Sequence, residues 1–135
     1  MILGAPTDGA FNVGSNGEEV ALNADGSRAY VAAGAPYSFT VYDASSAAAE
    51  LPVLANLAGS PYPSSIQFGA DDRIYGAANV LESDPVDVWV YDQAGNPGPT
   101  FDLGGGVRRL AISGEALRMT ALTASSLLFV TIPPP

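Results

Sequence analysis

The fold is decided by the stretch Val20-Ala-Leu-Asn-Ala-Asp-Gly-Ser-Arg-Ala-Tyr-Val31, in which two apolar runs flank an Asp-Gly turn. The turn at Asp25-Gly26 is typical of a tight β-hairpin, because Gly adopts a positive φ without steric cost. The stretch recurs with one deletion as Ile66-Gln-Phe-Gly-Ala-Asp-Asp-Arg-Ile-Tyr-Gly76. It recurs without a gap as Leu110-Ala-Ile-Ser-Gly-Glu-Ala-Leu-Arg-Met-Thr-Ala121. The chain therefore contains an internal repeat with one hairpin in each unit.

A second element follows each hairpin. Phe39-Thr-Val-Tyr-Asp43 matches Val88-Trp-Val-Tyr-Asp92, and Leu128-Phe-Val-Thr-Ile132 is a weaker third copy. A period of about 45 residues with four strands in each unit is typical of β-propeller blades. We therefore predict one domain of about three blade-like repeats with a proline-rich end. The predicted bounds are 1–59, 60–104 and 105–132 for the repeats and 133–135 for the end.

The composition favours an all-β chain. Of its 135 residues, 15 are Gly and 11 are Pro, while 47% are hydrophobic, so apolar runs alternate with many turns. The Ala-rich stretch 44–50 predicts at most one helical turn or a crossing between strands. The predicted strands are Glu19–Asn23, Arg28–Ala33, Ser38–Asp43, Val53–Leu57, Ser65–Phe68, Arg73–Ala78, Asp87–Asp92, Thr100–Leu103, Arg108–Ser113, Leu117–Leu122 and Ser126–Ile132.

A propeller blade is apolar on both faces, so it packs between two neighbouring blades. We expect the side chains between blades to include Leu22, Tyr30, Phe68, Tyr75 and Ile112. A two-sheet β-sandwich of similar length is the alternative fold.

The repeat resembles the YVTN-type β-propeller family. Tyr30-Val-Ala-Ala33 stands where that family has Tyr-Val-Thr-Asn, and Tyr75-Gly-Ala-Ala-Asn79 is a looser version. The third unit departs from the pattern, since Thr120 replaces the tyrosine and Ile132 replaces the closing aspartate. The resemblance covers residues 18–132 and implies a propeller fold, and WD-repeat propellers share the same pattern of strands and turns.

Three blades are fewer than the roughly 4–8 of closed propellers, so an apolar face is left at each end. Two chains could form a six-bladed ring and three a nine-bladed ring. Alternatively, another polypeptide or another segment supplies the missing blades. The stretch Ala10-Phe-Asn-Val13 has strand-like alternation and is expected to add a strand beside the third unit. The expected partner is a second copy or another propeller-forming chain.

The formal charge of −9 and the missing residue types exclude several functions. Fourteen acidic residues against five arginines repel phosphate, so we expect no nucleic-acid binding. The chain has no Cys, His or Lys. Disulfides, structural zinc sites and Ser-His-Asp or Cys-His catalysis are therefore excluded. We expect no cofactor, and any metal would need an oxygen cage.

The sequence predicts no membrane span, because it has no run of about 20 apolar residues. The N-terminal stretch Met1–Pro6 does not resemble a signal peptide. Localisation therefore stays open between the cytoplasm and a secreted or cell-surface position. The Lys-free composition, rich in Ala and Gly, suits a bacterial source with a high-GC genome.

One acidic loop is a candidate metal site. Glu82, Asp84 and Asp87 place three carboxylates close together, which could hold calcium with backbone carbonyls or simply face solvent. The spacing lacks the regular pattern of a calcium-binding loop, and we favour the solvated loop.

Two further features are candidate ligand contacts. Arg108 and Arg109 lie at the start of a predicted inner strand, where they could receive an anion in the central channel or pair with acidic neighbours. Trp89 could line a ligand cleft or pack between blades, where aromatic side chains contribute most area.

These features predict a non-catalytic binding or scaffolding module. No catalytic residue can be assigned, although carboxylate pairs remain possible acids and bases. The alternative functions are a fragment of a propeller enzyme similar to lactonases and a piece of a large bacterial surface protein.

Overall fold

A computed structural model describes residues 11–35, 37–80 and 85–135, and eleven strands lie within those ranges. The strands are β1 Ser15–Leu22, β2 Arg28–Ala35, β3 Ser38–Asp43, β4 Val53–Ala58, β5 Pro63–Phe68, β6 Ile74–Ala78, β7 Val88–Tyr91, β8 Pro97–Phe101, β9 Arg109–Ile112, β10 Arg118–Leu122 and β11 Leu127–Thr131.

The strands form three antiparallel sheets in chain order. β1 to β4 make the first sheet, β5 to β8 the second, and β9 to β11 the third. Each sheet is a simple meander, because every strand pairs with the strand that follows it. The described ranges contain no helix. The chain is therefore all-β and forms a partial propeller of three blade-like sheets, and the two-sheet sandwich alternative is wrong.

The second sheet lies between the other two. In its register, Ile74 pairs with Tyr91 and Tyr75 pairs with Val90, so alternate pairs point to opposite faces. The face of Ile74 and Tyr91 packs on the first sheet, and the face of Tyr75 and Val90 packs on the third. The core between the first two sheets contains Tyr30, Ala32, Phe39, Val41, Leu57, Ile66, Ile74 and Tyr91. The core between the last two contains Tyr75, Ala77, Val88, Val90, Val107, Leu110, Met119, Ala121 and Ile132.

Four of the five side chains predicted between blades do lie there. Tyr30 and Tyr75 are completely buried, and Phe68 and Ile112 pack against the two cores. The prediction for Leu22 is wrong, because 55% of this residue is exposed. It lies on the face of the first sheet that neither of the other two sheets in the described ranges covers.

The outer strand of the second sheet begins earlier than predicted. β8 includes Pro97 and Pro99, whereas the predicted strand begins at Thr100. Proline lacks a ladder donor, but β8 is an edge strand with one side unpaired, so the missing N–H is tolerated there.

The third sheet has three strands, and the stretch predicted to add a fourth lies elsewhere. Residues 11–14 form no strand, and the Phe11 ring packs edge-on against Tyr42 of the first sheet at 5.4 Å between centroids. Ala10 lies outside the described residues. The stretch 44–50 crosses between β3 and β4 without a helix.

The strand pairing corrects the alignment of the third repeat by one residue. Arg28 pairs with Asp43 in the first sheet, and Arg118 pairs with Thr131 in the third. Thr131 therefore occupies the position of the closing aspartate, and Ile132 follows it. Phe129 correspondingly occupies the position of Val41.

Gly76 permits the first two sheets to approach closely. A Cβ atom at Gly76 would lie 2.6 Å from the Phe39 ring, closer than atoms can pack. We expect Gly76→Ala to lower the free energy of unfolding by about 1–3 kcal/mol, because the added methyl group overpacks this core. Gly17→Ala is the matched control, since a Cβ there meets nothing within 4 Å. Urea unfolding measures both, and equal stability of the two variants would contradict this packing.

Candidate interaction surfaces

Arg108 and Arg109 lie at the mouth of a groove of about 560 Å³ between the inner strands. Nη1 of Arg109 donates to the backbone oxygen of Ser64 at 2.6 Å and lies 3.7 Å from a carboxylate oxygen of Glu18. Both members of this ion pair are about half exposed, so it stabilises the fold little. The arrangement joins the third sheet to the first two at this mouth.

The acidic loop is only partly within the described residues. Glu82 and Asp84 lie outside them, whereas Asp87 is completely buried. Oδ2 of Asp87 accepts a hydrogen bond from the backbone N–H of Leu103 at 2.6 Å. Oδ1 has no hydrogen-bond partner among the described residues. Asp87 therefore tethers the segment after β8, and the described ranges contain no cluster of three carboxylates that could hold a metal ion.

Trp89 lies between the first and second sheets. Its ring is 6.3 Å from that of Phe39 and is tilted by 52°. The side chain is partly buried and packs against the core of that interface.

A buried polar cluster connects the second and third sheets. Oδ2 of Asp71 accepts from Nε of Arg73 at 2.6 Å and from the Tyr75 hydroxyl at 2.7 Å. Nη2 of Arg73 then donates to the backbone oxygen of Pro133 at 2.7 Å. Burial alone would raise the pKa of Asp71, but the hydrogen bonds from Tyr75 and Arg73 outweigh it and lower that pKa. In this cluster, the ionised Asp71 carboxylate orients Arg73 toward the third sheet.

Because three tyrosines are buried, we expect the free energy of unfolding to fall at alkaline pH. Burial raises the pKa of Tyr30, Tyr75 and Tyr91, and the Asp71 carboxylate raises that of Tyr75 further. The folded state therefore retains protons that the unfolded state loses above about pH 10, so stability falls as pH rises. Each buried tyrosine contributes up to about 1.4 kcal/mol per pH unit there.

Thermal unfolding measured from pH 6 to 12 tests this expectation. The chain has no His, Cys or Lys, so we expect a flat profile from pH 6 to 9 and a decline only above about pH 10. A loss of stability near pH 7 would contradict the assignment.

Equivalent arginines connect the first sheet to the second and the second sheet to the third. Arg28 begins β2, and its Nη1 donates to the backbone oxygen of Gln93, two residues after β7. Arg73 precedes β6 and donates to Pro133, two residues after β11. Arg118 begins β10 at the corresponding position of the third sheet, where it is exposed.

The inner strands are joined by a second repeated contact. Oε2 of Glu19 accepts from the backbone N–H of Ile66 at 2.8 Å and from the Ser65 hydroxyl. Oγ of Ser65 in turn accepts from the backbone N–H of Leu110 at 3.0 Å. The side chains at equivalent positions of β1 and β5 therefore each accept a backbone N–H hydrogen bond from the inner strand of the following sheet.

The open face of the third sheet carries an apolar patch. Phe129 is 73% exposed, and Leu122 and Leu127 beside it are also exposed. Arg109 pairs with Leu122 in the sheet, but its side chain contacts Ser64 and Glu18 of the first two sheets. We call this surface the trailing face.

The open face of the first sheet contains an apolar groove of about 460 Å³. Phe11, Val20, Val31 and Tyr42 line it, and Glu18 lies at its rim. Val20 is 62% exposed. We call this surface the leading face. Both faces carry the large exposed apolar side chains that mark association surfaces.

The described ranges contain no helix that is long and apolar enough to cross a membrane. No protein-family model and no curated protein matches the sequence.

The solved structure of hydrazine synthase from Kuenenia stuttgartiensis is similar to this chain, with a TM-score of 0.72 and 20% sequence identity. The match covers 85% of this chain and 34% of that chain, so this chain spans about a third of the length of that neighbour. A likeness at this identity shows the fold alone, which is a partial propeller of blade-like sheets.

Proposed function

We propose that the chain is a non-catalytic binding or scaffolding module of propeller blades, completed by a second copy or by another propeller-forming chain. The observation that carries this proposal is the pair of open apolar faces, with Phe129 on the trailing face and Val20 on the leading face. Apolar side chains that are exposed at both ends of a stack of sheets are stabilised when a further sheet covers them.

The unpaired edge of β11 supports the same proposal. The first and second sheets each have a fourth, outer strand, whereas β11 has no partner on its outer side within the described ranges. Exposed strand edges favour pairing with another chain.

The non-catalytic part of the proposal is supported by how two of the described carboxylates are used. Asp71 is held by Arg73 and Tyr75, and Asp87 tethers a backbone segment. These groups stabilise sheet contacts and are turned away from solvent, whereas a general acid or base must reach a substrate.

The YVTN-type assignment of the repeat is part of the proposal. It is supported by Tyr30 and Tyr75, which occupy the same place in the second strand of their sheets and are both completely buried. The alternative is that the chain is a piece of a longer propeller protein. The match to about a third of a longer chain favours that alternative.

Light scattering after size exclusion tests the proposal. A self-completed module has at least twice the 13.7 kDa mass of one chain. A stable single copy that binds no other propeller-forming chain would contradict completion. We expect the associated form to persist across a hundredfold dilution series.

A further inference from the structure

We propose that two copies of the chain associate head to tail, with the trailing face of each copy against the leading face of the other. This inference rests on the proposed function and identifies the completing partner as a second copy. The association would close a ring of six sheets, with two identical interfaces between the copies.

The leading face repeats a surface that is already buried within the chain. By strand pairing, Val20 and Leu22 of the first sheet correspond to Ile66 and Phe68 of the second. Ile66 and Phe68 pack on the first sheet. The leading face therefore carries apolar residues at the positions that receive a preceding sheet.

The trailing face repeats the opposite surface. Leu122 and Phe129 of the third sheet correspond to Ala77 and Val90 of the second, by the same pairing. Ala77 and Val90 pack on the third sheet. The two open faces therefore correspond to the two surfaces that pack together between consecutive sheets of the chain. A trailing face placed against a leading face would repeat that sheet-to-sheet packing between two copies.

Arg118 adds a specific contact to this pairing. Arg28 and Arg73 each donate to a backbone oxygen two residues after the third strand of the following sheet. Arg118 has the corresponding position, and its guanidinium makes no hydrogen bond to any described residue of its own chain. In the head-to-tail pair, the sheet that follows is the first sheet of the second copy. Arg118 then reaches the backbone of residues 44–45, which follow β3.

The charges of the two end sheets are complementary. Residues 105–135 carry three arginines and one glutamate, whereas residues 11–59 carry one arginine and five carboxylates. Arg118 is the exposed arginine of the third sheet that is free for this contact, because Arg109 already lies 3.7 Å from Glu18 within its own chain. Opposite charges favour trailing-to-leading contact over contact between two copies of the same face.

Head-to-tail contacts either close a ring or continue as a filament. Each copy contributes three sheets, so two copies give six, which lies within the roughly 4–8 blades of closed propellers. Three copies would give nine, which lies outside that range. Two copies are therefore the expected closed assembly.

Three glutamate substitutions at exposed apolar residues test the pairing by light scattering. Phe129→Glu alters the trailing face, Val20→Glu alters the leading face, and Leu54→Glu is the control. Leu54 is half exposed and lines a cleft beside the second sheet, outside both open faces. We expect Phe129→Glu and Val20→Glu each to give single copies, and Leu54→Glu to keep the wild-type mass. A fourth variant, Arg118→Ala, should raise the dissociation constant about tenfold or more through loss of its charged hydrogen bonds.

The outcomes separate this inference from the proposed function. A wild-type protein of one copy overturns self-association altogether. A wild-type pair that survives Val20→Glu but not Phe129→Glu overturns the head-to-tail arrangement alone, because two trailing faces would then be in contact. A wild-type mass of three copies overturns the six-sheet ring. Circular dichroism shows whether each variant is folded. If a glutamate variant does not fold, Arg118→Ala still tests the interface.

Discussion

Replacing Asp71 with alanine is expected to lower the free energy of unfolding by about 3 kcal/mol, since removing one partner of a buried ion pair leaves the other charge unpaired. Arg73 is 7% exposed, and its Nε lies 2.6 Å from Asp71. The Tyr75 hydroxyl would lose its acceptor as well. Arg73 would then be less well oriented toward Pro133, so the contact between the second and third sheets should weaken.

Asp25→Ala is the matched control for this prediction. Asp25 has the equivalent place in the first hairpin, but it is exposed and accepts from the backbone N–H of Ser27 within its own turn. We expect a much smaller loss for Asp25→Ala in the same urea titration. Equal losses for the two variants would contradict a specific role of the Asp71 cluster.

Replacing Phe39 with alanine is expected to cost about 3–5 kcal/mol of unfolding free energy. Phe39 is completely buried between the first two sheets. Its ring lies beside Trp89 and fills the space over Gly59 and Gly76, where a Cβ atom would be less than 3 Å away. The glycines offer no side chain that could move into the resulting cavity, so the site cannot collapse easily.

Phe101→Ala provides the comparison for Phe39. Phe101 is partly buried and belongs to the outer strand β8, so its removal should cost clearly less. Thermal and chemical unfolding of both variants measures the difference. A Phe101 variant that is less stable than the Phe39 variant would contradict the assignment of the core.

The order of strands was predictable from sequence because each unit repeats a hairpin and an alternating apolar strand. The register of β11 was not predictable, because residues 127–130 are all apolar and give no alternation. A slip of one residue moves every side chain to the other face. The sequence therefore placed Leu128 and Val130 where the structure has Leu127 and Phe129.

The polar contacts between sheets were harder to predict. Asp71 and Asp25 occupy the same position of the repeat, yet Asp71 lies in a part-buried cluster and Asp25 is exposed. The arginine contacts did have a sequence signal, since Arg28, Arg73 and Arg118 occupy one position of the repeat. That position was recognised as part of the repeat pattern but not as a contact between sheets.

The metal-site hypothesis depended on a loop of which only Asp87 is described. This carboxylate was expected in a solvated loop, and that expectation is wrong for Asp87 because the segment after β8 folds back over it. Burial of a single loop residue depends on distant packing, which the sequence spacing did not reveal.

Cross-linking of introduced cysteines tests the head-to-tail ring most directly, because the natural chain has no cysteine. The Tyr30 and Phe68 rings stack at 5.9 Å between the first two sheets. Their equivalents at the open faces are Thr120 and Leu22, which the ring places against each other in different copies. With a short bis-maleimide, the double variant Thr120→Cys/Leu22→Cys should give a covalent pair, and neither single variant should do so. A covalent pair from Thr120→Cys alone, or a single chain from the double variant, would contradict the ring.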